Sequence, residues 1–193
     1  VVFRSLERTP DGEICLTNAM SESVSCLKLL NGEKSSPFWI TDTKIGFVRK
    51  ERGSANVTLE VYDTRSQQSR TLNNSKLFHP SASIDGRLIT WVERLARQGE
   101  QQKIQYASFD GERLGELCTP RIAWPGLSAY PRFSRDGKFL VFSHYLADTN
   151  QDGRIDGDDN SILARIPLPA KGCPTETQFP EPLTSLAENC SQP

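Results

Sequence analysis

Apolar and β-branched residues fall in short runs broken by Gly, Pro, Asn and Asp, and no stretch sustains the helical period of about 3.6 residues. Short runs bounded by such turn residues predict strands. Residues 1–6, 13–19 and 23–30 give three of them, separated by Pro10-Asp11-Gly12 and by a polar turn near Met20-Ser21. Pro37-Phe38-Trp39-Ile40 leads through Thr41-Asp42-Thr43 into 44–50, then 57–62 and a short 69–72. A further set opens at His79-Pro80, passes Asp85-Gly86 into 87–91, and continues through 103–109 and Asp110-Gly111 to 113–118. The same order returns from Tyr130-Pro131 through Asp136-Gly137 into 138–142 and on to 162–168.

Laid over one another, Pro80 matches Pro131, Ser83 matches Ser134, Asp85-Gly86 matches Asp136-Gly137 and Trp91 matches Phe142, all at an offset of 51. Pro37 precedes Pro80 by 43, in a degraded copy where Asp42-Thr43 stands for Asp-Gly. A repeat of this length with four strands per copy is the pattern of a β-propeller blade. The prediction is an all-β propeller of four-stranded antiparallel blades, about four of them, forming either a ring or an arc of a larger one. Blades are expected at about 1–35, 36–78, 79–128 and 129–170, with 171–193 as a Cys- and Pro-rich outer strand or tail. On these residues the chain resembles the TolB-type propeller repeat, marked by Pro-x-aromatic-Ser-x-Asp-Gly before an apolar strand. Two copies match well, at Pro80–Trp91 and Pro131–Phe142, although Ala82 occupies the aromatic slot that Phe133 fills.

One acidic stretch stands outside this pattern. From Asp148 to Asp159, oxygen-bearing side chains recur at loop positions 1, 3, 5, 9 and 12: Asp148, Asn150, Asp152, Asp156 and Asp159. Gly153 is at position 6 for the turn, Arg154 at position 7 offers its main-chain carbonyl, and Ile155 is at position 8. This is the spacing with which a hard cation such as Ca²⁺ is surrounded by oxygens. Asp159 replaces the usual Glu, a departure that resembles dockerin loops, and its shorter side chain is bidentate only if the backbone comes closer. The flanking residues 138–146 and 161–168 are strand-like, so the loop is expected at the tip of a β-hairpin. Some bacterial TolB-type members carry a calcium-type loop inside a blade hairpin, and that resemblance implies a structural Ca²⁺.

The 193 residues include 23 Lys plus Arg against 24 Asp plus Glu, a balance that gives no reason to expect nucleic acid or an anionic membrane as partner. No apolar run reaches the roughly 18 residues of a membrane-spanning helix, and the start in Val1-Val2-Phe3 points to a chain trimmed or begun partway through a larger protein. The five cysteines show neither Cys-x-x-Cys nor zinc-ligand spacing, so disulfides are expected. Cys15 and Cys26 lie nearly equidistant from the turn between them and should face each other across a hairpin. In the tail, Cys173 and Cys190 are paired provisionally, which leaves Cys118 over; other pairings through Cys118 stay open. Disulfides and a weak calcium site together place the chain in the periplasm or outside the cell.

No nucleophile elbow, phosphate-binding glycine loop or convergent set of titratable groups is present. His79 takes the place that Tyr130 takes in the next blade, so packing explains it, and His144 reads as a core or hairpin-face residue. Of Trp39, Trp91 and Trp124, two stand at repeat-core positions, leaving Trp124-Pro125-Gly126 as the candidate partner contact. The functional expectation is a non-catalytic, calcium-stabilised scaffold that binds protein partners, within an envelope or extracellular assembly. The alternative is the propeller part of a larger peptidase or polysaccharide lyase whose catalytic residues lie elsewhere.

Overall fold

The computed structural model describes residues 1–5, 11–17, 23–27, 29, 31–54, 57–93 and 102–185. Every regular element among them is a strand. The first sheet has three: β1 (Val2–Ser5), β2 (Glu13–Thr17) and β3 (Val24–Cys26). The second orders β4 (Glu33–Thr41), β5 (Lys44–Lys50), β6 (Val57–Asp63) and β7 (Gln68–Ser75) side by side. The third does the same with β8 (Leu77–Ala82), β9 (Leu88–Glu93), β10 (Lys103–Phe109) and β11 (Leu114–Cys118). After the two-residue β12 (Arg121–Ile122), the fourth sheet is built from β13 (Leu127–Phe133), β14 (Phe139–Tyr145) and β15 (Ile162–Pro167). Two short strands follow. β16 (Thr177–Gln178) pairs parallel with β12, and β17 (Glu181–Pro182) pairs antiparallel with β15 as the outer strand of the fourth sheet. The described part of the tail therefore joins the third-to-fourth-sheet region and not the first sheet.

The sheets stack face to face in chain order, as consecutive propeller blades do, and strands buried on both faces read as near-continuous apolar runs. In β5, Ile45 and Phe47 face the first sheet and meet Ile14, while Val48 faces the third. In β9, Ile89 and Trp91 join the core shared with the second sheet, and Val92 joins Leu140, Phe142 and Ile166 against the fourth. Trp91 is held further by its indole N–H, which donates to Gln105 Oε1 at 2.9 Å.

The two matching copies build the same turn. Ser83 N–H donates to Leu88 O and Ser134 N–H to Phe139 O, both at 2.9 Å. The serine hydroxyls donate to Asp85 and Asp136, both at 2.6 Å, and each Asp accepts the backbone N–H two residues on, from Arg87 and Lys138, at 3.1 Å. Gly86 and Gly137 take the left-handed conformation at φ 68° and 69° that closes such a turn without Cβ strain. Trp91 and Phe142 are equally buried at 0% exposure, as the 51-residue offset predicts.

A second recurrence lies in the first strand of each four-stranded sheet. Ser36, His79 and Tyr130 have φ of 50°, 51° and 52°, each just before the repeat proline, at irregularities in the β4–β5, β8–β9 and β13–β14 ladders. The extra residue shifts the inside-outside alternation. This explains one misplacement: Trp39, expected among repeat-core positions, is 40% exposed, while Phe38 turns inward over Gly46, where a Cβ would collide with its ring.

Candidate metal centre

Residues 146–161 connect β14 to β15, so the acidic loop does sit at a hairpin tip. Its backbone winds inward on its own side chains. Asp148 accepts the N–H of Asp152 at 3.1 Å and of Gly153 at 2.7 Å, Asn150 Oδ1 accepts Asp152 N–H at 3.0 Å, and Asp152 accepts Arg154 N–H at 2.9 Å. Gln151 and Gly153 at φ 64° and 86° give the tight winding that loop positions 4 and 6 require. Ile155 contributes nothing to the core, being 38% exposed.

Asp159 is used differently from its neighbours. It is 5% exposed; Oδ1 accepts Thr149 N–H at 2.6 Å, Thr149 Oγ1–H at 3.1 Å and Asn150 N–H at 3.2 Å, and Oδ2 accepts Asp156 N–H at 2.9 Å. These donors, the Asp156 N–H foremost, hold its carboxyl below the usual carboxylate range. A carboxylate has about four lone-pair sites, so this one is nearly saturated as a clasp joining the two ends of the loop. In this geometry Oδ1 is engaged by three donors, and Oδ2, with one, keeps an open side. Asp148, Asn150, Asp152 and Asp156 each retain oxygen lone pairs, and the donor set is all oxygen, as a hard cation requires. These carboxylates do not converge into a tight trio: among the described residues, the group with ligand atoms within 4.8 Å of one another is Glu13, Cys15 and Cys26. A disulfide consumes both of those thiols.

Cys15 and Cys26 are directly opposite in the β2–β3 ladder and bonded, as their symmetric spacing predicts. The other expected pair requires correction. Cys173 is bonded to Cys118, 55 residues away, and not to Cys190, which lies outside the described residues. The reason is topological: the segment after β15 runs back alongside the end of β11 before β16 pairs with β12.

A nucleophile-and-base geometry does occur, and sequence reading did not find it. Ser128 and His144 are cross-strand partners, with Ser128 Oγ 2.9 Å from His144 Nδ1. His144 Nε2 lies 2.9 Å from Pro125 O, which can only accept, so Nε2 carries the proton and Nδ1 accepts from the serine. Both residues are buried, at 5% and 1% exposure, and burial pushes the histidine pKa down. The ring is thus a satisfied core histidine. The one available signal was that 128 and 144 are symmetric about the Asp136-Gly137 turn. Trp124 is half-buried, packed against the core between the third and fourth sheets, with its ring 5.7 Å from that of His144. It borders a groove of about 440 Å³ that is also lined by Lys103, Arg121, Ser128 and His144. His79 stacks on Tyr130 at 3.9 Å between the third and fourth sheets, and burial, then nearby Arg132, lowers its pKa to about 4.

No protein-family model matches the chain, and no curated protein matches it significantly. Solved structures do. TolB from Acinetobacter baumannii is similar over 95% of this chain and 40% of its own, with 18% identity and a TM-score of 0.65. A protein from Agrobacterium tumefaciens assigned as TolB is similar over 95% and 60%, with 17% identity and a TM-score of 0.68. The β-propeller domain of the Trilobed protease from Pyrococcus furiosus is similar over 95% and 52%, with 14% identity and a TM-score of 0.59. The chain thus spans 40% to 60% of the length of these structures, and what it shares with them is the β-propeller fold.

Proposed function

We propose that this chain is a non-catalytic, calcium-stabilised propeller scaffold that binds a protein partner in the periplasm or outside the cell. The carrying observation is the 148–159 loop, an oxygen-lined winding at the tip of the β14–β15 hairpin, clasped at both ends by Asp159. The ligands would be side-chain oxygens of Asp148, Asn150, Asp152 and Asp156, directly or through water at Asp156, with the Arg154 carbonyl and Asp159 Oδ2. When bound, Ca²⁺ offsets the mutual repulsion of four carboxylates and fixes the hairpin tip. Two disulfides support an oxidising compartment. No helix among the described residues is long and apolar enough to cross a membrane.

Calorimetric titration of chelator-treated protein tests the metal reading. Binding at or below millimolar Ca²⁺ is expected, with a stability gain of about 2.7 kcal/mol at 100 times the dissociation constant. Asp152→Ala should remove most of that gain. No heat at millimolar Ca²⁺ overturns the site, and binding without a rise in melting temperature overturns its stabilising role. For the partner, we assign Trp124 as a contact residue. Trp124→Phe keeps most of the packing, so loss of partner capture at unchanged stability supports the assignment, and unchanged capture removes it.

A second reading is favoured by the similarity to the propeller domain of the Trilobed protease: a propeller portion of a larger peptidase or polysaccharide lyase, with catalytic groups outside these residues. A hydrolase or lyase domain encoded in the same gene decides for it.

A further inference from the structure

Between the third and fourth sheets, away from the acidic loop, lies a cleft of about 660 Å³. Ligand pockets in proteins run from about 300 to 1,000 Å³, mostly apolar with a few placed polar groups. This cleft has that character. Leu88, Leu168, Pro169 and Ala170 supply apolar wall, and Tyr106 forms part of the lining. Tyr106 is 4% exposed, and its hydroxyl is buried without a hydrogen-bond partner. A buried polar group left unpaired is costly and calls for an explanation. Burial, then the charge of Glu116, raises this phenol to about 12, so it remains a donor at neutral pH.

The charged groups in the lining are Lys138, Lys171 and Glu116, all exposed, which gives one excess positive charge. Neither lysine has an ion-pair partner among the described residues. Asp136 accepts from Ser134 and from the backbone N–H of Lys138, and the Lys138 charge contributes more weakly to holding its carboxyl down. One wall is the segment from Leu168 to Gly172, and the next residue, Cys173, is bonded to Cys118 on another part of the lining.

We propose that this cleft binds a small anion with an apolar body, an aromatic or aliphatic carboxylate or sulfonate, and that the Cys118–Cys173 bond holds the wall that completes it. The apolar body lies against Leu88 and Leu168. The acid oxygens take hydrogen bonds from the Tyr106 hydroxyl, which lacks a partner, and from the two exposed ammonium groups. Glu116 opposes the anion, so its charge sets an upper bound on affinity. Because the wall is tied at one end by a disulfide, occupancy depends on the redox state of that bond.

The test uses 8-anilinonaphthalene-1-sulfonate as probe, titrated by fluorescence into the full chain with its disulfides intact. Saturable binding of one probe per chain is expected. Lys138→Gln with Lys171→Gln, both at exposed positions, should weaken it about tenfold, and Tyr106→Phe about three- to tenfold. Glu116→Gln should tighten it. Cys118→Ser with Cys173→Ser should weaken it by at least about tenfold, whereas Cys15→Ser with Cys26→Ser should leave it unchanged. The proposal is overturned if no saturable binding occurs in the native protein. It is equally overturned if the double lysine variant, at an unchanged melting temperature, binds as tightly as the parent, or if Lys103→Gln with Arg121→Gln abolishes binding instead.

Discussion

The third and fourth sheets agree at one end and part company at the other. Their Ser-x-Asp-Gly turns have matching hydrogen-bond lengths, and the same core depth follows each. Their outer edges differ: β11 follows β10 directly as the edge of the third sheet, whereas the fourth waits for β17, reached only after the disulfide-tied segment and the β12–β16 pairing. The turn repeats because its bonds close within six residues, from Ser83 to Leu88 or Ser134 to Phe139, and it keeps its geometry although Gly86 packs under Ile40 and Thr41 while Gly137 faces open space. The β10–β11 edge is closed in the same local way, by Asp110 accepting from Glu112 and Arg113 N–H, whereas β17 reaches β15 only after residues 168–180 and takes its place by topology.

If the shared half is truly equivalent, its core positions should respond alike. Trp91→Ala and Phe142→Ala should each cost about 3–5 kcal/mol in urea unfolding, with Trp91 the larger because Gln105 Oε1 also loses its donor. A difference above about 2 kcal/mol would break the equivalence.

The unshared half is probed by its disulfide. In the chain-entropy picture, replacing Cys118 and Cys173 by Ala should cost about 4 kcal/mol, against about 3 kcal/mol for Cys15 and Cys26, because the closed loop is longer. Thermal unfolding of the two double variants reads the order directly. A reversed order would show that the 168–173 wall stays in place without its bond.

The smallest effect is the sharpest comparison. Ser83→Ala and Ser134→Ala should each cost about 1 kcal/mol, and by equal amounts. Each serine hydroxyl is the leading cause that holds Asp85 or Asp136 below its ordinary value near 3.8. A carboxyl lowered in the folded state adds stability that is complete above that ordinary value and lost as pH falls through the folded one. In the alanine variants, NMR titration should show both carboxyls moving back up and acid unfolding losing part of its slope below about pH 4.

Legibility from sequence follows the same divide. The Asp-Gly turns and Pro80 and Pro131 stood out because local closure preserves a motif at a fixed offset. Cys15–Cys26 was readable because a hairpin makes residues symmetric about its turn into neighbours. Cys118–Cys173 was not, since β16 and β17 have two residues each, too few for any alternation to register. Trp39 was misjudged because one extra residue, Ser36, inverts the faces of the strand that follows. In the acidic loop the spacing located the hairpin tip and its winding, but spacing carries no information on how many lone pairs backbone N–H groups take, and so it missed Asp159 as a clasp.

The left-handed residues before Pro37, Pro80 and Pro131 are serine, histidine and tyrosine, three different side chains held within 2° of the same φ. A non-glycine residue seldom sits at positive φ, so each of these positions carries a backbone cost that the strand irregularity imposes, and at two of them the side chains, His79 and Tyr130, stack on each other at 3.9 Å between adjacent sheets. The same backbone kink thus serves to place a side chain from one sheet against its counterpart in the next, which makes these positions joints between neighbouring blades. Exchanging His79 and Tyr130 for alanine together would therefore loosen the seam between the third and fourth sheets while leaving each sheet's own ladder intact.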